Sequence, residues 1–244
     1  MRCGDMIRRM KIDLSACLRH ALAPLLLCAS AAHAGSLQLL VTDKDGKPVP
    51  DVVVLVESAS KTAPQPAAMP VVITQENSRF VPFLTVVPVG SVLRFLNRDS
   101  YDHHVRSTPS GPLGSTPPVK NFELRLDGLE GAVIVDEYKP QSAPRKRSGV
   151  SAADVKVDVA GAIGLGCHIH GSMRGQVYVS GTPWFAKTDA NGAAVIDGIP
   201  DGAAELSLWH PDQLQEQTNQ RVQVSSTPLK ATLQLNFTPR RRRS

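Results

Sequence analysis

Short apolar runs, frequent turn residues and the lack of a sustained helical period predict an all-β protein of sandwich architecture. The runs fall at residues 37–41, 52–56, 92–95, 122–126, 132–135, 155–159, 177–179, 205–209 and 232–235. β-branched side chains are plentiful in them, and Gly, Pro, Asn and Asp separate them. Only residues 211–220 have a pattern that suits a short helix.

Residues 1–34 read as a cleaved export signal. Arg8, Arg9, Lys11 and Arg19 precede a short apolar stretch with Leu25-Leu26-Leu27, and Ala32-His33-Ala34 is a small-residue cleavage pattern. The apolar stretch is too short to span a bilayer. The expectation is cleavage after Ala34 and a soluble periplasmic protein with no transmembrane segment. Cys3, Cys17 and Cys28 leave with the signal, so Cys167 is the one thiol of the remaining chain. A single cysteine in an exported protein suggests a metal-bound, reactive or intermolecular thiol, against the alternative of an inert core residue.

The signal also removes five of 27 basic and two of 22 acidic residues, leaving 22 against 20. The body is nearly neutral, so the basic pI of the whole chain does not argue for a nucleic-acid partner. Arg240–Arg243 supply the excess charge. They belong to a basic tail, residues 237–244, expected to be solvated and disordered and to touch an anionic surface only weakly.

Turn chemistry supports the strands. Asp43-Lys44-Asp45-Gly46-Lys47 and Asp189-Ala190-Asn191-Gly192 each lie between apolar runs, as hairpin connections would. Residues 61–70, 107–118 and 139–149 read as exposed, mobile loops, the last carrying Arg145-Lys146-Arg147.

The chemistry concentrates in two places. Cys167-His168-Ile169-His170-Gly171-Ser172-Met173 brings a thiol, imidazoles and a thioether into seven positions, and Asn97-Arg98-Asp99-Ser100-Tyr101-Asp102-His103-His104-Val105 offers further imidazoles. Two His nitrogens, a Cys thiolate and a weak axial Met form the ligand set of a blue-copper electron-transfer site. Zinc is an alternative, although it more often recruits a second Cys or a carboxylate than a Met. Adjacent strand residues point to opposite faces, so only one of His103 and His104 can face such a site. The other would be a surface residue, or half of a second site with His168. His210 reads as structural or exposed. Gly164-Leu165-Gly166 would let backbone approach closely beside the sulfur.

These residues carry a family resemblance. The segment 97–105 resembles the first ligand segment of plastocyanin and amicyanin. Cys167 to Met173, continued by Arg174-Gly175-Gln176-Val177-Tyr178-Val179, resembles the amicyanin ligand loop. Phe80-Val81-Pro82 and Val89-Gly90-Ser91-Val92 are similar to early strands of the same cupredoxin fold. The resemblance implies a cupredoxin Greek-key β-sandwich over residues 71–180, with His103, Cys167, His170 and Met173 as ligands of one type 1 copper ion. His104 stands where this family usually has Asn, Asp102 where it has Pro, and Ile169 where Pro often precedes the second His.

Around this part, residues 35–65 and 181–236 resemble two pieces of a small carboxypeptidase-regulatory-like β-sandwich. The cupredoxin part would be inserted in it or lie next to it. The chain as a whole is similar to exported plastocyanin-like or methylamine-utilisation-like proteins. The implied function is a periplasmic carrier of single electrons between transient redox partners, not an enzyme, with the edge of His170 as electron port. A copper-delivery module, or a copper enzyme with a second metal site, are the alternatives.

Overall fold

The computed structural model describes residues 34–60, 67–68, 70–128 and 151–240. Alternation of apolar and polar residues builds its strands. In β1 (Ala34–Thr42) Gly35, Leu37, Leu39 and Val41 are buried, while Gln38 and Leu40 face out. That is the two-residue period of a pleated strand with one face on a core. Among the described residues there are sixteen strands, one 3-10 turn (Pro112–Gly114) and no α-helix.

Two sheets are made by the ends of the described chain. β1 lies between β13 (Ala193–Pro200) and β16 (Leu229–Gln234). A second sheet has β2 (Val53–Ser58) and β14 (Gly202–Trp209) at its centre, with β12 (Trp184–Lys187) and β15 (Gln220–Val224) at its edges. Leu37, Val54, Trp184, Ile196, Leu206 and Leu233 belong to the core that these strands share.

The middle of the chain makes two more sheets. One has the order β4 (Arg79–Val81), β3 (Pro70–Glu76), β6 (Val92–Asn97), β9 (Ala152–Lys156). The other runs β5 (Leu84–Pro88), β11 (Arg174–Ser180), β10 (Gly161–Cys167), β7 (His103–Thr108), β8 (Glu123–Leu126). The β10–β11 pair is thus slotted between two strands that precede it in sequence, and β3–β6 and β5–β11 pair in parallel. This is a Greek-key sandwich of mixed sheets. Its core holds Ile73, Phe95, Val105, Ile163 and Val177, and Cys167 and Met173 belong to the same cluster. Full burial of each large apolar side chain stabilises by about 2 kcal/mol.

Hydrogen bonds fix the junction between the two halves. Thr182 Oγ1 donates to Val56 O (2.6 Å), and Ser180 Oγ donates to Thr182 O (2.7 Å). Lys187 Nζ reaches Leu84 O (3.2 Å) and pairs with Asp51 (3.2 Å).

Several expectations are corrected. Residues 211–220 form no helix. Gln213 N–H donates to His210 O (3.0 Å) in a single turn, and the Gln217 side chain then ties the segment to Asn236, donating to its Oδ1 (2.9 Å) and accepting from its N–H (3.0 Å). The turns at 43–47 and 189–192 close back on themselves as hairpin turns do, through a Thr42–Pro48 antiparallel bridge and the Asp189 N–H to Ala193 O bond (2.9 Å), but neither joins two strands of one sheet. Each hands the chain from one sheet to another, β1 to β2 and β12 to β13, and both edges of β1 are taken by β13 and β16. The first turn is held by Asp43 Oδ1, which accepts from Asp45 N–H (2.8 Å) and Lys47 N–H (2.9 Å).

Residues 107–118 are not a plain loop. Ser107 and Thr108 complete β7, and a Ser110–Thr116 bridge encloses the 3-10 turn. Of the tail, residues 237–240 are held in place. Phe237 packs on the core and lies 5.7 Å from the His210 ring, and Arg240 pairs with Asp212 (3.7 Å). The export signal up to residue 33, the run at 132–135, the loop at 139–149, most of residues 61–69 and Arg241 to Arg243 lie outside the described residues. No helix of the described residues is long and apolar enough to cross a membrane.

Two outcomes follow from these turns. Gly192 has φ 72°, and a Cβ there would stand 2.5 Å from Val41 O and 2.9 Å from Val49 N, backbone atoms that cannot step aside. Gly192→Ala is expected to cost about 2 kcal/mol, read as a lower urea midpoint at unchanged slope. The Lys47 N–H, helped by Asp45 N–H against the opposing push of burial, holds the Asp43 carboxyl below the ordinary carboxylate range. The ionised form therefore favours the folded state above the ordinary pKa, and this benefit fades as pH falls through the depressed value. Wild type should be more stable than Asp43→Asn at neutral pH, with the gap in urea midpoints closing on acidification.

Candidate metal centre

The antiparallel register between β7 and β10 sets Cys167 opposite Val105. It continues one step further, where His168 N–H donates to His104 O (2.9 Å). His103, two residues before Val105, turns inward like Val105 and is wholly buried, while His104 faces out with a third of its side chain exposed. After Cys167 the chain makes a tight loop. Met173 N–H donates to His170 O (2.9 Å), which folds His170 back over the end of β10.

Three donor atoms converge as a result. His103 Nδ1 lies 3.7 Å and His170 Nδ1 3.4 Å from Cys167 Sγ. Among the described residues this is the one trio of His, Cys or acidic side chains whose donor atoms all lie within 4.8 Å of one another. Metal bonds of about 2.0–2.3 Å, opened at tetrahedral to trigonal angles, place nitrogen and sulfur about 3.5–3.7 Å apart. The observed spacing matches a shared ion. Met173 is fully buried in the same core cluster as Cys167 and closes the loop.

The surroundings leave the facing nitrogens free to bind. His103 donates from Nε2 to Asp99 Oδ2 (2.8 Å), so its Nδ1 lone pair points at the sulfur. Asp99 also accepts from Asn77 N–H (2.6 Å) and Ser78 N–H (3.1 Å). Burial pushes the Asp99 carboxyl up, but His103 and these two amides together hold it below its ordinary value. Asn77 and Ser78 form the two-residue β3–β4 turn, both with positive φ (54° and 55°), the conformation of a primed hairpin turn. Asn97 fixes the rest of the segment. Its Oδ1 accepts from Asp99 N–H (2.8 Å), and its Nδ2 donates to Tyr101 O (2.8 Å) and Asp127 O (3.0 Å). Burial, and next the neighbouring His103, lower the His170 pKa against a smaller pull from Asp99.

Tyr101 covers the outer side. Its ring lies 5.4 Å from that of His103 and meets that of His170 edge-on at 5.2 Å, and its hydroxyl bonds Ser78 Oγ (2.8 Å). The backbone gives the sulfur a donor: His104 N–H donates to Cys167 Sγ (3.4 Å), whatever side chain stands there. Gly164 serves another strand than expected. A Cβ on it would meet Thr108 Oγ1 at 2.6 Å and Pro109 O at 2.7 Å, so it makes room for the end of β7 and not for the sulfur. His104 and His168 stack edge-on at 5.5 Å on the outer face. His210 is remote, buried against Phe237 in the other core.

Sequence reasoning missed Asp99 and Tyr101. The available signal was a polar stretch, residues 97–102, filling the space between two strands with no apolar side chain except the Tyr101 ring.

No family model matches the chain, and no curated protein matches it. Solved structures do. A mutant of amicyanin in its Cu(I) form is 18% identical over 53% of this chain and 99% of its own, with a TM-score of 0.29. A second, reduced amicyanin mutant is 20% identical over 52% of this chain and 98% of its own, at 0.29. A copper-containing nitrite reductase from Thermus scotoductus SA-01 is 15% identical over 52% of this chain and 26% of its own, at 0.33. The fold that carries the site is the Greek-key β-sandwich that the resemblance implied: two mixed sheets, with donors on the neighbouring strands β7 and β10 and on the loop after β10.

Asp99→Ala leaves the buried His103 Nε2 and two turn amides without their acceptor. Loss of a charged hydrogen-bond partner of this kind costs about 2 kcal/mol or more. The measurement is the urea midpoint of the metal-free protein at neutral pH, compared with wild type.

Proposed function

We propose that His103, Cys167, His170 and Met173 hold one copper ion and that the protein is an exported carrier of single electrons. The observation that carries this reading is the convergence of two imidazole Nδ1 atoms on one buried thiol at metal-bond spacing. Thiolate and thioether suit Cu(I), and imidazole suits both oxidation states. Asp99, the nearest carboxylate to His103, is engaged by that ring and by two amides, which leaves a softer donor set than zinc prefers.

A copper ion bound here would supply reversible Cu(I)/Cu(II) exchange. The chain's own part is to keep the donors still. His103 is locked by Asp99, Cys167 by the His104 amide, and His170 by the short loop that Met173 closes. Burial of His103, Cys167 and Met173 slows metal exchange, which favours a resident ion over a delivered cargo. His170 and Tyr101 reach the surface beside the exposed Ile169. This edge suits a small, transient contact with a redox partner. Export to the periplasm rests on the character of residues 1–34.

Cu(II) added to the protein should produce an intense visible thiolate-to-copper band that Cys167→Ser abolishes. A wild-type protein that binds Cu(II) with no such band would overturn the reading.

A further inference from the structure

The strand face opposite the buried trio holds a second group of donors that the electron-carrier reading does not use. His104 and His168 stand directly opposite each other across β7 and the end of β10, their backbones joined by the His168 N–H to His104 O bond (2.9 Å). Their rings meet edge-on with centroids 5.5 Å apart. Glu123, on the neighbouring β8, accepts from His104 Nε2 (2.8 Å). All three side chains reach solvent.

We propose that His104 and His168 form a second, solvent-facing site for an imidazole-seeking divalent transition metal, Cu(II) or Zn(II). Ring centroids of two imidazoles on one ion lie about 3.2 Å from it, hence about 5.2–5.5 Å apart at tetrahedral to trigonal angles. The pair already has that spacing. The buried pair, His103 and His170, stands at 4.9 Å. Glu123 takes the part that Asp99 takes inside. It holds the Nε2 proton of His104 and so leaves the lone pair on Nδ1 for the ion. Water would complete the shell at this exposed position. The antiparallel ladder does the preorganising, since it sets cross-strand neighbours side by side.

Two cations share the face. Arg125 is drawn aside by Asp102 (3.4 Å), and Arg106 sits opposite Glu123 in the ladder. They weaken the site and set it below the buried one in affinity. The site does not depend on the identity of the ion in the buried trio.

The test counts Cu(II) and Zn(II) bound per chain. Wild type should take two Cu(II), only one of them with the thiolate band, the other with a tetragonal electron-spin-resonance signal coupled to two nitrogens. His104→Ala and His168→Ala should each weaken the second ion at least about tenfold, and Glu123→Gln about tenfold, with the band kept. His168 is exposed, so its replacement leaves the fold intact. Cys167→Ser should lose the band and keep the second ion. Saturation of wild type at a single ion per chain, in the Cu(II) titration and again in the Zn(II) titration, or a second ion indifferent to both histidine substitutions, overturns the proposal. A second ion retained in a wild type that shows no band sinks the electron-carrier reading alone.

Discussion

The antiparallel ladder between β7 and β10 is the constraint on which the rest depends. It brings together side chains 64 positions apart in the chain, a thiol at the end of one strand and an imidazole at the start of the other. The period of a strand is two, so a slip of one residue would turn His103 out and His104 in. The register is held by burial on one side, where Val105, Leu165 and Cys167 are all in the core. It is held again by the sulfur itself, which accepts the His104 amide. The same ladder therefore builds an inner donor face and an outer one, with opposite access to water.

The inner face is an exercise in keeping polar atoms satisfied without filling the valences that matter. A buried imidazole needs a partner, and Asp99 gives His103 one at the nitrogen that points away from the sulfur. A buried carboxylate needs several donors, and the left-handed pair Asn77-Ser78 turns two amides toward it. Asn97 then binds three backbone groups, two of the same loop and one just beyond β8. The chain runs from β3 through β6 to β7, so the position of His103 is fixed by parts of the sandwich that never touch the sulfur.

The all-β class was legible because burial on one face leaves its period in the sequence, as in Leu37, Leu39 and Val41. The donor cluster was legible because sulfur and imidazole are rare enough that their spacing stands out. Turn residues were readable as turns but not as to where they lead. Asp43 to Lys47 look the same whether the next strand pairs with the last or crosses to the opposite sheet, since that choice depends on which edges distant strands such as β16 have already filled. The helical pattern of residues 211–220 gives way to a tie between Gln217 and Asn236, a partner 19 positions along the chain that the local pattern does not show. Asp99 was hidden among other small polar residues, and its burial comes from the surrounding sandwich and not from its neighbours in sequence.

One further property lies in how the chain leaves and re-enters its terminal sheets. β2, the last strand before the middle of the chain, and β12, the first after it, are ladder partners, with Trp184 opposite Val56. The whole donor-bearing region therefore departs and returns through a gap the width of a single strand pair. A tight turn could close that gap without disturbing either sheet, and, by the same geometry, another module with neighbouring termini could be grafted there. Such an exchange would give up the contacts that cross between the halves, Lys187 with Leu84 O and the Tyr178 ring with that of Trp209.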